Sequence, residues 1–110
     1  MELQRLYHLM GDYYFELKNV MEEIGERDNI DTFIGRAYQG GVRGFYTYME
    51  GMAIFGKEGE VWAIYLKDNE IRYFTNVMNW KTVIPKTFLH WMSRFNDTVV
   101  IYYGDAIKPR

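Results

Sequence analysis

Few side chains here could carry chemistry: two histidines (His8 and His90), one serine (Ser93) and no cysteine. The missing cysteine removes thiolate nucleophiles, disulfides and cysteine-ligated zinc or iron–sulfur centres together. The histidines show no His-x-His or His-Glu-x-x-His spacing, so a zinc site would have to draw carboxylates from elsewhere in the fold. His90 stands at helical spacing from Lys86 and Arg94, which suits an exposed histidine. Acid–base work would need it in a cleft beside Asp97 or Glu50. No nucleophile–base pattern surrounds Ser93.

The carboxylates and glycines lack catalytic spacing too. Glu22 and Glu23 are adjacent, and Glu58 and Glu60 flank Gly59. A hydrolytic pair must face across a cleft about 5–9 Å wide, and neighbours in sequence point apart. Asp28-Asn29-Ile30-Asp31 lacks the glycine and the closing glutamate of a calcium loop, and suits a helix N-cap. Gly40, Gly41 and Gly44 carry no Gly-Lys-Ser/Thr and miss the dinucleotide spacing. An anion nest at Gly40-Gly41, beside Arg36 and Arg43, is the most they could form. No catalytic, cofactor-binding or metal-ligating residue is expected.

Charge is more informative. Residues 1–35 hold eight acids and three bases, residues 36–110 seven acids and ten bases, and the whole chain is −2. The acids fall on a segment of helical periodicity. Leu3, Leu6, Met10, Tyr13, Leu17, Val20 and Ile24 form a stripe widened by Tyr7, Tyr14 and Met21. With that stripe turned inward, Asp12, Phe15, Glu16, Asn19, Glu22, Glu23 and Glu26 face outward. An exposed aromatic ringed by carboxylates has the make-up of a hot spot in an acidic rim. Such a face suits a basic protein partner, with charge steering the encounter. Asp12, Phe15, Glu16, Asn19, Glu22 and Glu23 are the expected contact residues; an ordinary solubilising face has the same composition. Small, acidic domains without catalytic groups include inhibitors that cover basic active sites: immunity proteins against nuclease toxins, phage anti-defence proteins and DNA mimics. No motif ties this chain to one family of them.

A rival surface lies in the second part. Arg36, Arg43, Arg72, Lys81 and Arg94, with Trp80 nearby, mix bases with stacking aromatics, as in single-strand or phosphate binders. The net negative charge opposes direct nucleic-acid binding.

These residues must be positioned by a single α+β domain spanning residues 1–110. The first helix should end at Gly25, with a kink or break at Gly11, and a second short helix should run from Asp31 to Tyr38. Residues 40–44 read as a turn, and residues 45–50 fit both helix and strand, with strand favoured. Strands follow at 52–55, 60–66 and 71–75, then a helix opened by Pro85 and a last strand at 98–103. The expected architecture is N-terminal amphipathic helices on a small, mainly antiparallel sheet of about four to five strands, with one further helix before the last strand and the helices on one face. Residues 61–66 are apolar at both parities, so that strand is central or covered by a partner, and a homodimer is compatible. No apolar run reaches the ~20 residues of a membrane span, and no secretory signal opens the chain, so a cytoplasmic protein is expected.

Overall fold

The structure is a computed structural model and describes residues 2–27, 35–42, 44, 49–77, 84–95 and 98–103. The elements run α1 (Glu2–Met10), α2 (Tyr13–Val20), β1 (Glu23–Arg27), β2 (Gly35–Gly41), β3 (Glu50–Gly56), β4 (Val61–Lys67), β5 (Glu70–Thr75), α3 (Lys86–Met92) and β6 (Val99–Tyr103). The strands form one six-stranded sheet in chain order. Pairs β1 to β5 are antiparallel and β5–β6 is parallel. This is the expected α+β fold, with helices first and one helix before the last strand.

The first helical stripe is broken where glycine allows it. Gly11 takes φ +58, and its N–H closes the first helix on the Tyr7 carbonyl at 2.8 Å. The chain restarts as α2, and the break shifts the phase. Leu6, Leu9 and Met10 are buried from α1, and Leu17, Val20 and Met21 from α2 and its cap, while Tyr7 turns out. The helix stops at Met21 rather than Gly25, because Glu23 to Arg27 pair with Gly41 to Ala37 as β1. Residues 35–38, expected to be helical, lie in β2, and Gly40 and Gly41 are buried strand residues rather than a turn or an anion nest. Three glycines in seven residues disfavour a helix there, and ladders on both sides hold the strand. Residues 31–34 and 45–48 lie outside the described residues.

From β3 onward local signals and tertiary structure agree. Asp68 and Asn69 both take positive φ (53 and 63) in a two-residue loop between paired Lys67 and Glu70, the backbone of the hairpin turn such residues favour. Asn76 fastens the preceding hairpin, accepting from the Val61 N–H at 3.0 Å and donating to the Gly59 carbonyl at 3.0 Å.

Both sheet faces are covered, and the helices divide between them. Ala53, Phe55, Ala63, Tyr65, Phe74 and Tyr103 pack beneath α1 and α2. Met52, Ile54, Trp62, Ile64, Ile71 and Tyr73 point the other way, toward Phe88 and Trp91 of α3. The expectation of helices on one face therefore fails. A parallel last strand needs a crossover, and its helix covers the second face. The doubly apolar strand β4 is thus covered within one chain, and its composition no longer argues for a dimer. Full burial of each large apolar side chain is worth ~1.5–3 kcal/mol, so apolar residues of both parities favour this three-layer arrangement.

Candidate protein-binding surface

The bend at Gly11 gathers three aromatic rings on the outside of the helix pair. Tyr7 and Tyr14 meet edge to face with centroids 5.8 Å apart, and Phe15 lies 5.9 Å from Tyr7 and 5.4 Å from Tyr14. Phe15 is 52% exposed and Tyr7 49%, while Tyr14 is half-buried and packs against the core. Such contacts add about 0.5–1.5 kcal/mol each beyond area, which fixes the rings as one body. Phe15 was legible from the sequence. Tyr7 and Tyr14 were not, because an unbroken heptad places both on the inner stripe.

The acids are less concentrated than the periodicity implied. Asp12, Asn19 and Glu22 are exposed, as expected. Glu23 belongs to β1, not to a helix. Glu16 turns back to the sheet: its Oε1 accepts from the Tyr65 hydroxyl at 2.5 Å and from Arg72 Nη1 at 2.8 Å, with Lys67 Nζ 3.9 Å from Oε2. Position 16 is one turn from Tyr13 and Val20, on the flank of the buried face. Helices α1 and α2 hold only Glu2 and Glu16 against Arg5 and Lys18, with Asp12 in the turn between them. The remaining N-terminal acids belong to the turn, to β1 and to the segment after it.

Arg72 is the hub of that polar cluster. Its Nη2 donates to Glu70 at 2.9 Å and its guanidinium lies 5.5 Å from the Tyr13 ring centroid, while its buried Nε has no hydrogen-bond partner among the described residues. Burial, and then the bond to Glu16, push the Tyr65 phenol above its ordinary range against the opposing pull of Arg72. Tyr103, whose hydroxyl is 3.5 Å from that of Tyr13, is raised as well, first by burial. Phenols held protonated are poor bases, and the cluster acts as a fastening between α2 and the sheet.

A buried carboxylate, unlike the half-buried Glu16, was missed by sequence reasoning as a structural group. Glu50 is 2% exposed and accepts from Gln39 at 3.2 Å, Trp91 Nε1 at 3.3 Å and both terminal nitrogens of Arg94. Its four donors satisfy it without a ligand. His90 is exposed on α3 and is not among those donors, and His8 is exposed on α1. Asp97 lies outside the described residues. Of the rival basic set, Arg72 and Arg94 are paired with carboxylates and Arg36 is exposed. Arg43, Trp80 and Lys81 lie outside the described residues. Among the described residues no group of three or more histidine or acidic side chains could hold a metal ion. No helix among them is long and apolar enough to cross a membrane.

Comparison with protein-family models, curated proteins and solved structures gave no match. The surface itself therefore carries the functional reading.

Proposed function

We propose that this chain is a non-enzymatic binding protein that occludes a basic macromolecular partner through the outer surface of α1 and α2, in the manner of immunity or anti-defence inhibitors. One observation carries the proposal: Phe15 and Tyr7 stand half-exposed and locked edge to face with Tyr14 on a helix pair fixed to the sheet. Rigid aromatics offer contact area at low entropic cost, which is why they anchor interfaces. Asp12, Asn19 and Glu22 supply an exposed polar rim, and Glu23 at the start of β1 extends the acidic composition. Glu16 acts from behind, holding α2 in place through Arg72 and Tyr65. The partner is a protein with a basic surface, such as a nuclease or another protein that acts on nucleic acid. The cysteine-free composition suits the cytoplasm.

The test compares wild type with Phe15→Ala and with Asp12→Lys/Glu22→Lys in capture from source-cell lysate, followed by titration of the purified captured protein. A basic protein bound by wild type and at least about tenfold more weakly by both variants, each still folded at the assay temperature, supports the proposal. Equal binding by all three, or capture of nucleic acid instead of protein, overturns it.

A further inference from the structure

With no cysteine and ten tyrosines, the chain has phenols rather than thiols for an oxidative cross-link. Two of them are set side by side. Tyr13 opens α2 and Tyr103 closes β6. Their ring centroids are 5.1 Å apart at an interplanar angle of 48°, and the Tyr103 hydroxyl donates to that of Tyr13 at 3.5 Å. The rings therefore converge at their hydroxyl ends, where the Cε carbons sit. Oxidative coupling of two phenols joins those ortho carbons and leaves the hydroxyls as neighbours, so the observed pair already resembles the product. Phe74 stacks on Tyr103 with centroids 4.6 Å apart and lies 5.5 Å from Tyr13, which holds both rings in place. Tyr103 is buried and Tyr13 half-buried, so one ring is sheltered while the other can be reached from solvent. Tyr7 and Tyr14, by contrast, meet at 88°, the edge of one ring against the face of the other.

We propose that Tyr13 and Tyr103 are a modification site, coupled into a dityrosine by a one-electron oxidant such as the ferryl haem of a peroxidase or photogenerated ruthenium(III). The oxidant takes one electron from Tyr13, whose phenolic proton leaves to water. The Arg72 guanidinium, 5.5 Å from the ring centroid, disfavours a cationic ring and so drives that proton off. Tyr103 then passes its hydroxyl hydrogen atom to the Tyr13 oxygen, which restores Tyr13 and moves the radical inward. A second electron and a second proton leave Tyr13 by the same route. The two phenoxyl radicals join through their Cε carbons, and the hydrogens on those carbons move to the oxygens, restoring both aromatic rings. Two equivalents of oxidant are reduced, two protons go to water, and the chain loses two hydrogen atoms. Held side by side, the rings couple without the encounter that free phenols need. The bond staples α2 to β6 across 90 residues of sequence and removes loop entropy from the unfolded chain. It does not depend on the function proposed above.

The test illuminates the full chain with tris(bipyridine)ruthenium(II) and persulfate at low micromolar concentration, in buffer and in urea. In buffer, dityrosine fluorescence should rise and the intact monomer should lose the mass of two hydrogens. Tandem mass spectrometry of the digest should place the bond between Tyr13 and Tyr103. Tyr13→Phe and Tyr103→Phe each keep the ring, remove the hydroxyl and should cut the yield at least about tenfold. Tyr14→Phe and Tyr102→Phe should leave it unchanged. No bond, a bond mapped to other tyrosines, links between copies alone, an equal yield of the Tyr13–Tyr103 bond in urea, or a yield indifferent to Tyr13→Phe would each overturn the assignment.

Discussion

Glu50 and Arg94 meet through both prongs of each group, Nη1 on Oε1 at 3.0 Å and Nη2 on Oε2 at 2.9 Å, yet the carboxylate side chain is 3% exposed and the guanidinium 43%. The pair ties the end of α3 to the start of β3, and its two members stand in different solvents.

That asymmetry sets the order of two mutational losses. Arg94→Ala leaves a buried carboxylate with only Gln39 and Trp91, and should cost about 2–4 kcal/mol. Glu50→Ala lets Arg94 and the half-buried Gln39 turn to water and orphans the fully buried Trp91 N–H, so it should cost less, about 1–3 kcal/mol. The double variant should be more stable than the sum of the two losses implies. Urea denaturation of the three variants measures this; a larger loss for Glu50→Ala than for Arg94→Ala would contradict it.

Gly51 lets α2 settle on the sheet. A Cβ there would lie 2.8 Å from Leu17 Cδ1 and 2.9 Å from Met21 Cγ, and both side chains are buried. Gly51→Ala should therefore destabilise by about 1–3 kcal/mol through overpacking. Leu17→Val in the same chain should recover part of that loss, although alone it is destabilising. Thermal melts of the two single variants and the double variant test the coupling, and strict additivity would show that the contact relaxes freely.

Alkaline pH acts on the fastening of α2. Tyr65 and Tyr103 have phenols raised above the ordinary value of about 10 when folded. Below that value both states keep the proton, and the contribution to stability is fully present. Above it the unfolded chain loses protons that the folded chain retains, so stability falls as pH rises toward the folded values. Ultraviolet titration should show the phenolates of Tyr65 and Tyr103 appearing only as the protein unfolds. Tyr65→Phe should flatten the alkaline fall in stability. Simultaneous ionisation of all tyrosines with the fold intact would disprove the assignment.

Legibility from sequence tracked how local the deciding interaction was. Strands β3 to β5 and helix α3 were readable because short apolar runs bounded by turn residues, the Asp68-Asn69 turn and Pro85 act within a few residues. Strands β1 and β2 were not. Glu23 to Arg27 continue a helical pattern, and only pairing with Gly41 to Ala37 makes them a strand. The face taken by α3 depended on the parallel β5–β6 pair, which no local pattern declares. At the candidate surface the exposure of Phe15 followed from its place in the heptad. The emergence of Tyr7 followed from the bend at Gly11, and the turning of Glu16 to Arg72, 56 residues away, from its place on the flank of the buried face of α2.

The docking place of the N-terminal helices has a consequence for biosynthesis. Helix α1 packs on β4 and β5, and α2 on β3 and β4. The ribosome therefore releases residues 2–20 well before residues 50–75, which form their seat. At about 5–20 residues per second, the apolar faces of both helices wait several seconds for cover. During that interval the nascent chain presents Leu6, Met10, Leu17 and Val20 to whatever attends the exit tunnel, and a pause in translation after β2 would prolong the exposure.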